Sequence, residues 1–126
     1  MLLAVAEHMN IHSELIPRIA TGFCGGIAHT GSHCGAVSGG IMAINLALGR
    51  NIASDDREAC YQGIRSFLER FEANFGSLDC PKLIGLDLSS PGAHEMYRQQ
   101  GLHEQCTNYV TSAARMVLEI VEGTEP

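Results

Sequence analysis

Five cysteines are the residues of this chain most able to do chemistry, and the sequence sets them in unlike surroundings. Cys34 opens a glycine-led segment expected to be helical. Cys80 stands directly before Pro81, at the start of a short turn, and Cys106 lies in the expected first turn of the last helix. At such positions the positive end of a helix dipole lowers a thiol pKa and favours the thiolate, the form that binds metals and attacks disulfides. Cys24 falls near the end of its segment, where the dipole has the opposite sign, although Gly25-Gly26 leave its sulfur little cover. Cys60 belongs to a Phe-rich stripe and reads as a small hydrophobe. Packing is also open to the others, because free cysteine is among the most buried residue types. The separations, 46 residues from Cys34 to Cys80 and 26 from Cys80 to Cys106, match no zinc-finger or ferredoxin pattern. The shared placement at helix starts is the stronger signal.

The stretch Gly22 to Gly40 must position these groups. It holds seven of the fourteen glycines, two cysteines, and His29 and His33, which could serve as auxiliary ligands or proton carriers. Glycine loses the most backbone freedom on folding, so this density asks for positive φ angles, close backbone approach or room for a bound group. Gly25, Gly26 and Gly31 fall in the loop. Gly35, Gly39 and Ala43, four apart, give the following helix a smooth face. A phosphate loop is excluded, since no strand precedes the stretch and no Gly-Lys-Ser/Thr follows it.

The remaining elements read as helices. Leu2–Met9 carries Leu3, Ala6 and Met9 on one side. Ser13 is placed to cap a second helix, with Ile16, Ile19, Ala20 and Phe23 as its stripe. A third runs from Cys34 to about Leu48 and stops at Gly49. Ser54-Asp55-Asp56 begins the clearest one, where Cys60, Ile64, Phe67, Leu68, Phe71 and Phe75 share a face up to Gly76. Cys80 to Gly85 is one turn with Pro81 at its start and Gly85 at its stop. A short helix is expected over Ala93–Gln100 within a polar stretch. The last spans about Glu104–Glu122, with Cys106, Val110, Ala113, Ala114, Val117, Ile120 and Val121 inside. No segment alternates with period two. The 126 residues are therefore expected to form one all-α domain, a bundle of five or six helices with a Gly-rich loop.

The net charge of −6 and a single lysine argue against nucleic acid and against an anionic membrane surface. The longest apolar run, Ala36 to Leu48, is too short to insert in a bilayer. An odd cysteine count without C-x-x-C fits a reducing, cytoplasmic setting better than a disulfide framework. The opening Leu2-Leu3-Ala4-Val5-Ala6 is apolar at once and uncapped. The first helix is thus expected to begin upstream of Met1, in a chain shortened at its start.

Cys34-Gly35-Ala36-Val37-Ser38-Gly39 resembles the C-G-A-x-x-G motif of the C-GCAxxG-C-C family of redox-active proteins. Gly25-Gly26-Ile27, Thr30-Gly31, Gly49-Arg50, Phe71, Phe75-Gly76-Ser77, Cys80, Leu83, Gly85 and Cys106 agree with it across nearly the whole chain. The resemblance implies four characteristic cysteines, of which Cys34, Cys80 and Cys106 match the last three. The first falls just upstream of the segment like Leu2–Ala6, so only a chain that truly begins at Met1 would need Cys24 or a histidine as substitute in a four-thiolate site. A more distant similarity to the iron–sulfur part of split-Soret cytochromes implies a two-iron (2Fe–2S) cluster, without their haem-attachment motif. The function so implied is that of an electron-transfer protein with a redox partner, and a homodimer is compatible with it. Metal-free thiol–disulfide chemistry and a non-enzymatic metal-binding role beside a transporter are the competing expectations.

Overall fold

The computed structural model describes residues 1–125, and among these no strand is present. Seven α-helical segments follow one another: α1 (Leu2–His8), α2 (Cys24–Ile27), α3 (Gly35–Leu48), α4 (Glu58–Phe75), α5 (Cys80–Ile84), α6 (Ala93–Gln99) and α7 (Leu102–Glu122). A 3-10 helix, Arg18–Phe23, lies between α1 and α2. The all-α expectation holds, with seven segments in place of five or six. Among the described residues no helix is long and apolar enough to cross a membrane.

Helix α3 is the hub, packing on α7, α4 and α1, while α4 also packs on α7. Phe67 and Phe71 of α4, Ile44 and Ala43 of α3, and Val117 and Ala113 of α7 are all wholly buried where these three helices meet. Their axes come close because small residues stand at the crossings. A Cβ on Gly40 would lie 2.4 Å from the tip of the Phe67 ring, and one on Gly63 would lie 3.2 Å from Ile120. Helix α4 ends in a left-handed Gly76 and α5 in a left-handed Gly85, the stops expected of them.

Two expectations are corrected. Ser13–Phe23 is not an α-helix. Ser13 Oγ accepts from the Leu15 amide at 3.2 Å, but the chain then turns, and helical bonding resumes only as the 3-10 segment. Pro17 works against a regular helix here, because it has no amide to donate to the ladder. Ile19 is consequently 51 % exposed rather than inside. In α1 the buried side chains are Leu2, Val5 and Ala6, and Leu3 faces water. A run of five apolar residues permits either register, and packing against α3 and α7 selects one.

Candidate functional site

Two backbone hydrogen bonds bring the first pair of thiols together. The Cys34 amide donates to Leu78 O at 2.8 Å, and the Cys80 amide donates to Ser32 O at 2.9 Å. Between them His33 and Asp79 form a lone antiparallel bridge. Side chains alternate across such a pairing, so His33 and Asp79 point one way and Cys34 and Cys80 the other. The outer pair closes as a side-chain contact, His33 Nδ1 to Asp79 Oδ1, at 2.9 Å. From this anchor the chain enters two helices, Cys34 being the residue before α3 and Cys80 the first residue of α5. Both helix-start placements read from the sequence therefore hold. The third does not: α7 begins at Leu102, so Cys106 lies beyond its first turn, where the dipole effect has faded.

The segment after Cys24 is left-handed. Gly25, Gly26, Ile27, Ala28 and His29 all have φ between 50° and 69°. For the three L-residues that conformation costs about 1–2 kcal/mol each. Thr30 holds the turn, its hydroxyl donating to Ile27 O at 2.7 Å and Gly26 O at 3.1 Å, and the Ser32 amide also donates to Gly26 O, at 2.9 Å. The turn is wedged against both helix starts. A Cβ on Gly26 would stand 2.7 Å from Cys80 Cβ, and one on Gly35 would stand 2.9 Å from Phe23 O and 3.3 Å from Cys24 Cα. Only glycine allows these approaches, and each one brings backbone up against a cysteine.

The result is a largely apolar cavity of about 470 Å³ whose lining includes Cys24, Cys34, Cys80 and Cys106. Gly25, Gly26, Gly35 and Gly39 contribute to its wall, with His29, His94, Tyr97 and His103 among its other polar groups. The His29 and His94 rings meet edge to face at 4.4 Å. All five thiols are free; Cys80 is buried, Cys34 and Cys106 are half-buried, and Cys24 is exposed. Among the described residues no three His, Cys, Asp or Glu side chains converge closely enough to share one metal ion. Cys60 lies apart, 5 % exposed, its thiol donating to Asn45 Oδ1 at 3.2 Å.

His33, turned outward to Asp79, is not among the lining residues, and neither is Gly31, where a Cβ would stand 3.0 Å from Asp87 Oδ1. His94, Tyr97 and His103, lining residues that sequence reasoning did not single out, sit on α6 and α7. His94 and Tyr97 are three apart on α6. His103, Cys106 and Val110 follow a helical i, i+3, i+7 pattern on α7. These two stripes were the available signal.

The electrostatics overturn the expected thiolates. Burial pushes the Cys80 thiol up to about 11, helped by the neighbouring Cys34, Cys106 and Asp87. Burial also raises Cys34, with Cys106 and Cys24 adding to it, although the nearby amides of Ala36 and Val37 pull the other way. The Tyr97 phenol is pushed up by burial and by Cys106 beside it. Helix starts do favour a thiolate, but here the loss of water outweighs them, and several acids share one low-dielectric pocket. Without a cation the buried thiols Cys34 and Cys80 stay protonated at neutral pH. Such a donor set fits a positively charged, sulfur-seeking group, whose binding expels the thiol protons.

The sequence model of the family described as "Putative redox-active protein (C_GCAxxG_C_C)" matches residues 1–120. The chain belongs to this family. No curated protein and no solved structure matches it.

Proposed function

We propose that this member of the family is an electron-transfer protein in which Cys34, Cys80 and Cys106 hold an iron–sulfur cluster of the two-iron kind. One observation carries the reading: three cysteines remote in the chain, one just before α3, one opening α5 and one within α7, line the same apolar cavity, while Cys60 is sequestered elsewhere. A two-iron cluster asks less of any single point in the cavity than a lone zinc or copper ion does. A single ion needs three or four donors around one centre, whereas a cluster spreads four ligands over two irons.

Bound there, a cluster would supply one-electron exchange. The chain's own residues set its surroundings. The Ala36 and Val37 amides favour charge on the Cys34 sulfur. Leu83, Ile84 and Val110 keep water from the sulfurs. The His33–Asp79 bridge fixes two ligand-bearing helix starts relative to one another.

Anaerobic reconstitution of the full chain with ferrous iron and sulfide tests this. About two irons and two sulfides should be retained per site, with visible absorption and, after reduction, an electron paramagnetic resonance signal. Cys34→Ser or Cys80→Ser should abolish retention and Cys60→Ser should not. A colourless protein without iron overturns the reading. Paired thiols after mild oxidation would then point to thiol–disulfide chemistry, and bound zinc or copper to a metal-binding accessory role.

A further inference from the structure

We infer that Tyr109 and Gln105 are positioning residues that hold Cys80 in a fixed place relative to Cys106, an inference that rests on the cluster reading above. Cys80 opens α5, a helix of five residues, too short to keep its shape or place unaided. Its N-terminal end is anchored by the His33–Asp79 bridge. The carbonyls of its last turn, like those of any helix, find no partner within it. One of them, Leu83 O, accepts from the Tyr109 hydroxyl at 2.7 Å and from Gln105 Nε2 at 2.9 Å. Gln105 Nε2 also donates to the Tyr109 oxygen at 2.6 Å, which closes a ring of hydrogen bonds. Both donors belong to α7 and flank Cys106, Gln105 directly before it and Tyr109 one turn after it. Leu83 stands one turn beyond Cys80 in the same way. The clamp therefore joins the two sulfur-bearing helices beside their sulfurs.

Satisfying a carbonyl asks for less than this. One donor or one water is enough for a helix end, whereas here two side chains converge on a single oxygen. One of the two is itself held fast. The Tyr109 ring is 6 % exposed and packs on α4, its centroid 6.2 Å from that of Phe71 and 4.9 Å from that of Phe75. Its hydroxyl thus carries the placement of the α4–α7 packing over to α5. Tyr109 and Leu83 both line the cavity that holds the sulfurs. Groups that hold a ligand-bearing element orient the ligand and tune the metal without touching it. The clamp acts on Cys80 and Cys106 in this manner whichever donor completes the ligand set.

Tyr109→Phe removes the hydroxyl and leaves the ring between Phe71 and Phe75; adding Gln105→Met removes the whole clamp. Ile44→Val, a wholly buried change outside the cavity lining, controls for a general loss of stability. In the reconstituted full chain, Tyr109→Phe should release iron to a chelator about fivefold faster, the worth of one ordinary hydrogen bond. The double variant should release it faster still and show displaced resonance g-values, while Ile44→Val keeps wild-type release and g-values. In the metal-free full chain, amide hydrogen exchange over Leu83, Ile84 and Gly85 should quicken by about the same factor in Tyr109→Phe, with α3 unchanged. Wild-type iron release and g-values in the double variant overturn this inference and leave the cluster reading standing. Equal iron loss in Ile44→Val also overturns it, since the effect is then one of overall stability. Wild-type protein that takes up no iron removes the cluster reading, and the exchange at α5 then decides on the clamp by itself: quickened exchange upholds it and unchanged exchange overturns it.

Discussion

The junction of α3, α4 and α7 and the cavity beside it are built on opposite terms. At the junction, regular helices bury hydrocarbon, and small residues such as Gly40 and Gly63 let them approach. At the cavity, three L-residues sit in left-handed backbone and two raised thiols share a low-dielectric pocket. Strained backbone and raised thiols are thus gathered together at the cavity. Such strain persists only where the surroundings over-determine it. The three-helix junction is therefore the store of stability that keeps the thiols in place.

The strongest way to break that contrast is Phe67→Ala. The ring is fully buried against Gly40, so its removal leaves a void that the helices cannot close. A loss of about 3–5 kcal/mol is expected in urea unfolding. A cost below about 1 kcal/mol would mean that the junction is not where stability resides.

Next in size is the alkaline limb of the metal-free protein. Cys80 is raised in the folded state from an ordinary value of 9.0 to about 11. The neutral thiol is thus favoured by folding. Its contribution is complete below pH 9 and is lost as pH climbs toward 11, by about 2–3 kcal/mol from the thiol alone. Cys34 acts in the same direction. Unfolding free energies measured between pH 8 and 11 should fall in the wild type and fall less steeply in Cys80→Ala. A flat profile would remove the claim that the cavity holds its thiols at a cost to the charged form.

Gly26→Ala sharpens the comparison by acting on backbone rather than charge. At φ +69°, with a new Cβ 2.7 Å from that of Cys80, it should cost about 1–3 kcal/mol and displace Cys80 from its partners. Its signature is a loss of iron retention out of proportion to the loss of stability. Equal retention would show that the turn does not position the site.

The same contrast explains what could be read from the residues alone. The stripe of α4, the Pro81 start and Gly85 stop of α5, and most of α7 follow from local spacing and capping, so they were legible. That Cys34, Cys80 and Cys106 would line one cavity was expected only through placement and family resemblance. What joins the first two, the His33–Asp79 bridge, is a single residue pair with no alternating pattern to announce it. The glycine density pointed to positive φ at Gly25 and Gly26, but the continuation of the left-handed turn through Ile27, Ala28 and His29 was not legible, because these residues locally disfavour it and only tertiary contacts impose it. The sign of the thiol shifts was misread for the same reason: a helix dipole can be inferred from sequence, whereas burial is a property of the assembled cavity.

Cys60→Ser gives the smallest effect and the cleanest control. This thiol is buried like Cys80, yet it faces Asn45 across the junction of α3 and α4 rather than other sulfurs. A serine hydroxyl keeps a donor for Asn45 Oδ1 and exchanges a polarizable sulfur for a smaller, more polar oxygen in a tight space. The expected cost is about 1 kcal/mol, the worth of one ordinary buried interaction. Thermal unfolding should shift slightly, while iron retention and resonance g-values stay at wild-type levels. Depth of burial would then be equal for Cys60 and Cys80 and consequence unequal, which is the separation that a shared cavity creates and that a general sensitivity of buried cysteines would erase.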